Sequence, residues 1–387
     1  MPSLSEETNG NVARLEPGAT IGIVGGGQLG RMMALSAKYM GFRVGTLDPT
    51  PDCPAAQVAD FQVTADYDDT DAIRELAERS DVLTYEFENV DADALDAVRG
   101  SVAIPQGTDL LRVTQHRVHE KTFINKHGIE TAPWRAVDTR EQLDDALAEI
   151  GYPAVLKTCE GGYDGHGQVV LRSADDLDKV WPADAFPPAI LEGFVDFDYE
   201  ASILVSGNGE DYVTFPVVRN IHRNNILHMT LAPAEVSDEM AARARELALT
   251  LARGFKLAGT LAIELFVTRD GRVIVNELAP RPHNSGHYTI EACDFDQFDL
   301  HVRGIAGWPL AEPKLLSPAV MANVLGQHVA PTRAAAADHP EWHVHDYGKA
   351  DVKHNRKMGH ITVLTDDPAA AMADLEATGC WDDVRVE

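Results

Sequence analysis

The stretch LAIELFVTRDGRVIVNELAPRPHNSGH, residues 261–287, reads as two apolar strands turning at Asp270-Gly271 and running into a loop that packs an arginine, two histidines and an asparagine around prolines. Asp-Gly is among the strongest two-residue hairpin signals. Counted outward from it, Arg269 faces Arg272 and Glu264 faces Glu277. Side chains directly opposite on an antiparallel pair have Cβ atoms about 5 Å apart, and like charges there destabilise the sheet unless something positive lies between them. A hard divalent cation is the favoured occupant, because magnesium is commonly held by one or two carboxylates together with substrate phosphates. Asn284, just past the second strand, would add an oxygen donor. The alternative for the pair is an exposed, charged sheet face beside an arginine.

Toward the N-terminus, TIGIVGGGQLG (residues 20–30) carries an apolar strand into glycines, and RMMALSAKYMGF continues at helical spacing. VGTLDPT, FQVTADYDD, DAIRELAER and VLTYEFENV follow as strand, edge strand, helix and strand, a βαβ series that predicts a parallel sheet. Gly25, Gly27 and Gly30 match G-x-G-x-x-G, with Asp48 at the end of the next strand where a dinucleotide-binding protein places its ribose acid. That reading competes with a tight turn packing helix on sheet, and with a single phosphate held by the amides of Gln28 and Leu29. Pro49 directly after Asp48 weighs against the dinucleotide, which would also leave the later motifs without a task.

A polar helical stretch over about 105–125, preceded by Pro105, marks a domain boundary. Beyond it PAVLKT and QVVLRS flank CEGGYDGHGQ, whose Gly161, Gly162, Gly165 and Gly167 suit a flexible flap rich in backbone donors. Lys157 ends the first of these strands. A lysine beside such a loop can bridge phosphates while the glycines let the chain close and exclude water. The loop lacks the residue order of a P-loop, and a plain hairpin turn is its alternative. PPAILEGFVDFDYEASILVSG is strand-like with a break, ELALTLARGFKLAG is a helix, and from about residue 316 a last small region ends in a strand, HITVLTDD, and a helix, PAAAMADLEATG.

The chain has 387 residues, enough for two or three domains. Its 33 basic against 61 acidic residues give a formal charge of −28, which disfavours nucleic acid or an anionic membrane as partner. Cys53, Cys159, Cys293 and Cys380 stand far apart in no paired pattern, as in a reducing compartment. No secretion signal opens the sequence and no window reaches the roughly 18 uninterrupted apolar residues of a membrane helix, so the expectation is a soluble, cytoplasmic protein.

GGGQLGRM, TYEFENV, LKTCEGGYDGHGQ, NELAPRPHNSGH and RKMGHI, in that order across about residues 20–365, resemble the ATP-grasp superfamily and, within it, the N5-carboxyaminoimidazole ribonucleotide synthase family. The resemblance implies a mixed α/β and α+β chain. Residues 1–18 would be a disordered extension, 19–115 an N-terminal βαβ (pre-ATP-grasp) domain, 116–315 the ATP-grasp domain and 316–387 a small C-terminal domain. It implies a ligase that makes carboxyphosphate from ATP and bicarbonate and then carboxylates the 5-amino group of aminoimidazole ribonucleotide in purine synthesis. The family is usually dimeric and hands its product to the N5-carboxyaminoimidazole ribonucleotide mutase.

The same resemblance places Mg2+, or Mn2+, on Glu264, Glu277 and Asn284. ATP falls to Lys121, Lys157, Gly162 and His166, the hinge Glu192, Gly193, Phe194 and Val195, and Glu200 and His222 at the ribose. Arg281, His283, Asn284 and Tyr163 fall at the reacting carbon, and Gln28, Leu29, Glu86, Tyr163, Asp164, Lys349 and Arg356 at the imidazole nucleotide. His166 stands where the family commonly has Lys or Arg, which puts its phosphate contact in doubt. Rival readings are another carboxyphosphate or acylphosphate ligase, a nicotinamide-dependent oxidoreductase built on GGGQLG, and a non-catalytic nucleotide binder. For His343, His345, His354 and His360 a zinc cluster competes, with spacings that fit no closed pattern.

Only 10 of the basic residues are lysine against 23 arginine, and this acid-rich, lysine-poor balance suits a cytoplasm of high salt, where screening shortens the reach of self-repulsion. The Debye length falls from about 30 Å at 0.01 M to about 3 Å at 1 M ionic strength. Melting temperature and activity are therefore expected to rise together from dilute buffer toward molar KCl. A thermal-melt series that stays flat or falls removes the salt-adapted reading.

Overall fold

The computed structural model describes residues 14–162 and 167–382; the flap residues Tyr163, Asp164 and His166, and most of the expected N-terminal extension, lie outside them. The N-terminal part is the parallel sheet that the βαβ pattern predicts. Its strands Thr20–Val24, Arg43–Leu47, Phe61–Val63 and Val82–Tyr85 lie in the order third, second, first, fourth. The glycine turn after Val24 is forced by crowding. Gly25 has φ +113°, and a Cβ on Gly26 would meet the Cys53 sulfur at 2.2 Å. The turn feeds the helix Gln28–Tyr39, whose Ser36 hydroxyl donates to Asp299 on the helix Gln297–Ile305 of the central region.

The polar stretch expected around 105–125 is two helices, Thr108–Gln115 and Arg117–Lys126, broken at His116 by extended backbone. Beyond them the chain builds a small antiparallel sheet in the order Trp134–Val137, Ala189–Gly193, Ala154–Thr158, Gln168–Leu171. The strand-like segment with a break resolves into Ala189–Gly193 in this sheet and Phe197–Asn208 in the next one. Residues 194–196 are thus the crossing between two sheets.

The second sheet is large and antiparallel. Its order is Val273–Ala279, Ala258–Thr268, Phe197–Asn208, Val218–Arg223, Ile226–Ala232, Ala319–Leu325, Lys357–Leu364, His343–Asp346, with Tyr212–Thr214 paired to the far end of Phe197–Asn208. The last three strands belong to the C-terminal region, which therefore has no sheet of its own: Thr230 pairs with Met321 and the ladder runs on unbroken. The helix Asp238–Phe255 covers the sheet with Leu247, Leu251 and Ala248, packed on Ile203, Val205, Leu261 and Ile263 in the largest core cluster. All four cysteines are buried and unbridged, and among the described residues no helix is long and apolar enough to cross a membrane.

The turn of the decisive hairpin differs from the expected one. Thr268 pairs with Arg272, and Gly271, at φ +80°, closes a three-residue loop rather than a two-residue turn. Val267 accordingly faces Val273, one step off the outward count. A bulge between Glu264 and Leu265 then skips Asn276, and Glu264 faces Glu277 after all. The left-handed glycine and the bulge are each a one-residue register change, and they cancel.

Candidate active site

A cleft of about 840 Å³ lies between the two antiparallel sheets, and Glu264 and Glu277 project into it from facing strands. Burial raises the Glu264 carboxyl above its usual range, and the Glu277 charge raises it further. The nitrogen groups nearest the pair are the Arg117 guanidinium, with Nη1 3.4 Å from Glu277 Oε2, and the His283 ring, with Nε2 3.2 Å from Glu264 Oε1. Asn284 lines the same cleft with both polar atoms of its amide buried and without a hydrogen-bond partner. Two facing carboxylates and an orphaned amide oxygen fit a hard cation. Among the described residues no three or more acidic, histidine or cysteine side chains form a closed metal cage. Magnesium seldom has one, since phosphates complete its shell.

Lys157 also lines the cleft, its Nζ donating to Glu192 Oε2 at 2.8 Å. Lys121 Nζ stands 3.5 Å from the other Glu192 oxygen and donates to the carbonyl of Asn276, the bulged residue. Burial alone would raise the Glu192 carboxyl, but Lys121, Lys157 and Arg117 outweigh it and bring it down to about 2. The Glu192 side chain is thus committed to the two lysines. Lys121 is enclosed behind it at 1 % exposure. Arg117, four residues before Lys121 on the same helix, faces the cleft instead and comes within 3.5 Å of the Gly162 carbonyl. Sequence reasoning missed Arg117, although the spacing i, i+4 in RVHEK marks it as a neighbour of Lys121.

The far end of the cleft is apolar: Val155, Val170, Phe194, Phe197, Phe266 and Leu227 line it, with Phe197 and Phe266 stacked at 4.6 Å. Of the expected hinge, Phe194 faces the cleft, the Gly193 amide is taken by the Pro133 carbonyl, and the Val195 carbonyl accepts from Phe197. Between this apolar end and the carboxylates, Glu200 and His222 form a 2.7 Å hydrogen-bonded pair. His222 is held above its usual pKa: burial opposes the charge, and the Glu200 hydrogen bond and charge outweigh burial. Asn224 and Asn225, both left-handed at the next hairpin tip, add amides that the sequence did not single out.

On the other side of the carboxylates three parts of the chain meet. Arg281 grips Glu88 of the N-terminal domain at 2.6 Å, and Gln106 donates to the Pro280 carbonyl. Burial would raise the Glu88 carboxyl, but Arg281 overrides it and lowers it. His283 lies well below the usual histidine range, through burial first and the Arg281 charge second, and so is neutral. Lys357 of the C-terminal region reaches the same wall. It adjoins Arg356 in RKMGH but was not picked out.

Behind this wall the Glu86 carboxylate accepts from the amides of Gly27 and Gly30, capping the helix Gln28–Tyr39 and standing where a dinucleotide's pyrophosphate would lie. Asp48 is saturated by the Gly26 and Thr50 amides and the Tyr67 hydroxyl. The acid that a dinucleotide's ribose would need is spent on the turn itself, and amides that its pyrophosphate would need are taken by Glu86, which removes that reading. Glu86 is raised by burial, and Lys349 is close enough to attract it. Lys349 is brought down to about 8 by burial first and then by Arg356 and Lys357. Gln57 ties the two regions, donating to the Gly348 carbonyl while accepting from Arg31. Glu86, Lys349, Arg356 and the start of the helix at Gln28 and Leu29 are therefore neighbours. His345 and His360 stack at 4.3 Å with nitrogens engaged by Glu291 and Tyr347.

A cleft between two antiparallel sheets, with facing carboxylates at one end and a paired lysine over it, defines an ATP-grasp enzyme. The sequence pattern of the ATP-grasp domain matches residues 122–298, that of the ribonucleotide synthetase preATP-grasp domain residues 18–115, and that of the phosphoribosylaminoimidazole carboxylase C-terminal domain residues 319–374. An N5-carboxyaminoimidazole ribonucleotide synthase of Bacillus subtilis is 48% identical over 350 residues, 90% of this chain and 92% of its own. An ADP complex of an N5-carboxyaminoimidazole ribonucleotide synthetase superposes with a TM-score of 0.93 at 48% identity, covering 95% of this chain and 98% of the other. The Aspergillus clavatus synthase in complex with ADP and 5-aminoimidazole ribonucleotide does so at 0.87 and 32% identity, covering 94% and 98%. The chain belongs to the N5-carboxyaminoimidazole ribonucleotide synthase family.

If Glu264 and Glu277 share a cation, Glu277→Gln keeps the fold but loses turnover by about two orders of magnitude or more, and loses the rise in melting temperature that Mg-ATP gives the wild type. Unchanged turnover and unchanged nucleotide stabilisation would mean that the pair is not a metal site.

Proposed function

We infer that this protein carboxylates the 5-amino group of 5-aminoimidazole ribonucleotide with ATP and bicarbonate, giving N5-carboxyaminoimidazole ribonucleotide, ADP and phosphate in purine biosynthesis. The observation that carries the reading within this chain is the Glu264–Glu277 pair facing the cleft beside Arg281, His283 and Asn284. Glu264, Glu277 and the Asn284 amide oxygen hold Mg2+, or Mn2+. Bound there, the cation neutralises phosphate charge and aligns the oxygens for transfer. The adenine enters the apolar end between Phe194, Phe197 and Phe266, with Glu200 and His222 at the ribose. Lys157 and Arg117 face the phosphates, and the Glu192 carboxylate fixes the position of Lys157. Lys121, locked behind Glu192, supports that arrangement electrostatically.

Arg281 and the neutral His283 hold a bicarbonate oxygen in line with the γ-phosphorus. That oxygen forms the new P–O bond, the bond to the β–γ bridging oxygen breaks, and ADP departs. The carboxyphosphate so formed is short-lived in water, which the flap with Gly162, Tyr163, Asp164 and His166 would exclude. Transfer of its carboxyl group to the 5-amino nitrogen then releases phosphate. Lys349 and Arg356, with the Gln28 and Leu29 amides, take the nucleotide's 5′-phosphate, while Glu86, Tyr163 and Asp164 approach its base. Residues 19–115, 116–315 and 316–387 act as the three units of the enzyme. A cytoplasmic homodimer that passes its product to the mutase completes the proposal; Leu35 and Tyr39, 48% and 92% exposed on one helix, are apolar surface available for pairing.

ADP release in bicarbonate buffer, measured with and without aminoimidazole ribonucleotide, tests the reading. Strong stimulation is expected, and its lack in folded protein at high salt would sink the assignment. The same assay examines Lys349. The phosphate monoester is already a dianion above about pH 6, whereas the Lys349 ammonium, at about 8, is lost as pH rises through that value. Its attraction is therefore fully present only well below pH 8, is half lost at about 8 and is gone well above it. KM for the imidazole nucleotide should climb between pH 7 and 9 with KM for ATP level, and Lys349→Arg should flatten the climb. A change in KM for ATP instead would place Lys349 at the wrong substrate.

A further inference from the structure

The ring of His283 is held from behind. Its Nδ1 lies 2.9 Å from the Ser285 hydroxyl and 3.3 Å from the Ser285 main-chain nitrogen. A main-chain N–H can only donate, so Nδ1 carries the lone pair and the ring proton sits on Nε2. The Ser285 hydroxyl accepts from Ser202 Oγ at 2.7 Å, and Ser202 Oγ accepts from Asn220 Nδ2 at 3.0 Å. Asn220 Oδ1 in turn accepts from Thr230 Oγ1 at 3.1 Å. Each hydroxyl that receives a proton has its own to pass on, so the chain runs one way and ends at Nδ1.

Ser202, Ser285 and Thr230 are fully buried and Asn220 is 4% exposed, amid strands whose buried side chains are mostly apolar. Ser202, Asn220 and Thr230 sit on three successive strands of the large sheet, two of them in register, so the chain is anchored to its most rigid part. Hydrogen-bonded chains in a low-dielectric interior polarise one another, and leaving one member unpaired there is costly. A second device grips the main chain: the His283 amide donates to Gln297 Oε1 at 2.7 Å, and Gln297 Nε2 donates to the His283 carbonyl at 2.9 Å. Backbone and ring are fixed independently.

We propose that Ser285 and Ser202 are positioning residues that lock His283 as its Nε2–H tautomer, aimed at Glu264 and the adjoining cleft. That tautomer turns its Nε2–H toward Glu264 Oε1, 3.2 Å away. It presents an N–H donor where charge develops on the carboxyl oxygens, with no reorganisation at the moment of transfer. The kinetic side of this proposal rests on the function inferred above; the tautomer does not.

The test uses the full-length protein labelled with 15N in its histidines, the His283 nitrogens being identified by their loss in His283→Gln. The wild type is expected to show an unprotonated Nδ1 and a protonated Nε2. Ser285→Ala leaves only the longer main-chain contact on Nδ1, at 3.3 Å, and should admit a minor population of the other tautomer and a kcat lower by about tenfold, with KM for ATP within about twofold, since the shorter of the two hydrogen bonds is lost and ATP is not touched. Ser202→Ala, which removes only the next bond of the chain, should show the same change in smaller measure and serves if Ser285→Ala does not fold. His283→Gln, whose amide can present an N–H near Nε2, should retain more activity than His283→Asn, which reaches only the Nδ1 position. A wild type with the proton on Nδ1 overturns the proposal, and so does a Ser285→Ala protein in which neither the minor tautomer nor any fall in kcat is found, since the main-chain N–H alone would then hold the ring. A wild type without nucleotide-stimulated ADP release would overturn the assigned function and leave the tautomer measurement to decide the relay by itself.

Discussion

Two carboxylates facing each other across adjacent strands are the constraint around which the rest of the molecule is arranged. At about 5 Å and an effective dielectric near 20, two like charges repel by about 3 kcal/mol before salt screening. That is a sizeable fraction of the net stability of a typical domain, about 5–15 kcal/mol. Burial and the Glu277 charge raise the Glu264 carboxyl, so the pair relieves part of this repulsion by favouring a held proton, and neighbours on each side do the rest. Arg117 stands at the edge of Glu277 and the neutral His283 at the edge of Glu264, while the Asn284 amide waits unpaired. Under the proposed function, a site built this way would relax when a cation and phosphates enter, and binding and catalysis would draw on the same electrostatic strain.

Distance along the chain is bridged by polar contacts as well as by the apolar cluster that packs Ile21, Met33 and Phe42 with Phe298, Val302 and Tyr347. Glu192 in the small sheet holds Lys121 from the helix Arg117–Lys126 and Lys157 from its own sheet, so the lysine that lines the cleft is set by a buried ion triad. Such a triad is weak evidence of stability, because desolvation opposes the attraction, but it fixes geometry. Glu88 and Arg281 couple the N-terminal domain to the loop after the hairpin, and Gln57 couples it to Gly348 near Lys349. Each contact joins a substrate-facing group to a different region. The cleft and the neighbouring basic cluster therefore sit side by side, as the proposed function would require of a carboxyl group made at one and consumed at the other.

Local patterns in the sequence carried much of this. Period and glycine placement announced the parallel N-terminal sheet, and the hairpin gave the Glu264–Glu277 pair. The pair was reached through a turn and a bulge that each shift register by one residue, so agreement there owed something to cancellation. What stayed hidden is nonlocal. Nothing in helical spacing tells Arg117 from Lys121; burial against Glu192 does. The joining of residues 319–325 to the central sheet depends on a pairing some ninety residues distant, between Met321 and Thr230. Ser202, Asn220 and Thr230 look like ordinary polar residues in strands until three strands align them. The dinucleotide pattern at Gly25, Gly27 and Gly30 was legible and misleading, because the acid at Glu86 that fills it comes from another strand.

The account stands on bicarbonate, not water, receiving the γ-phosphoryl group in this cleft. Turnover with 18O-labelled bicarbonate in unlabelled water, in the presence of ATP and aminoimidazole ribonucleotide, measures this directly by mass analysis of the phosphate released. Carboxyphosphate formation leaves one bicarbonate oxygen on phosphorus, so the account predicts one 18O per phosphate. Phosphate carrying no label, formed at the same rate, would mean that water attacks ATP and would contradict it.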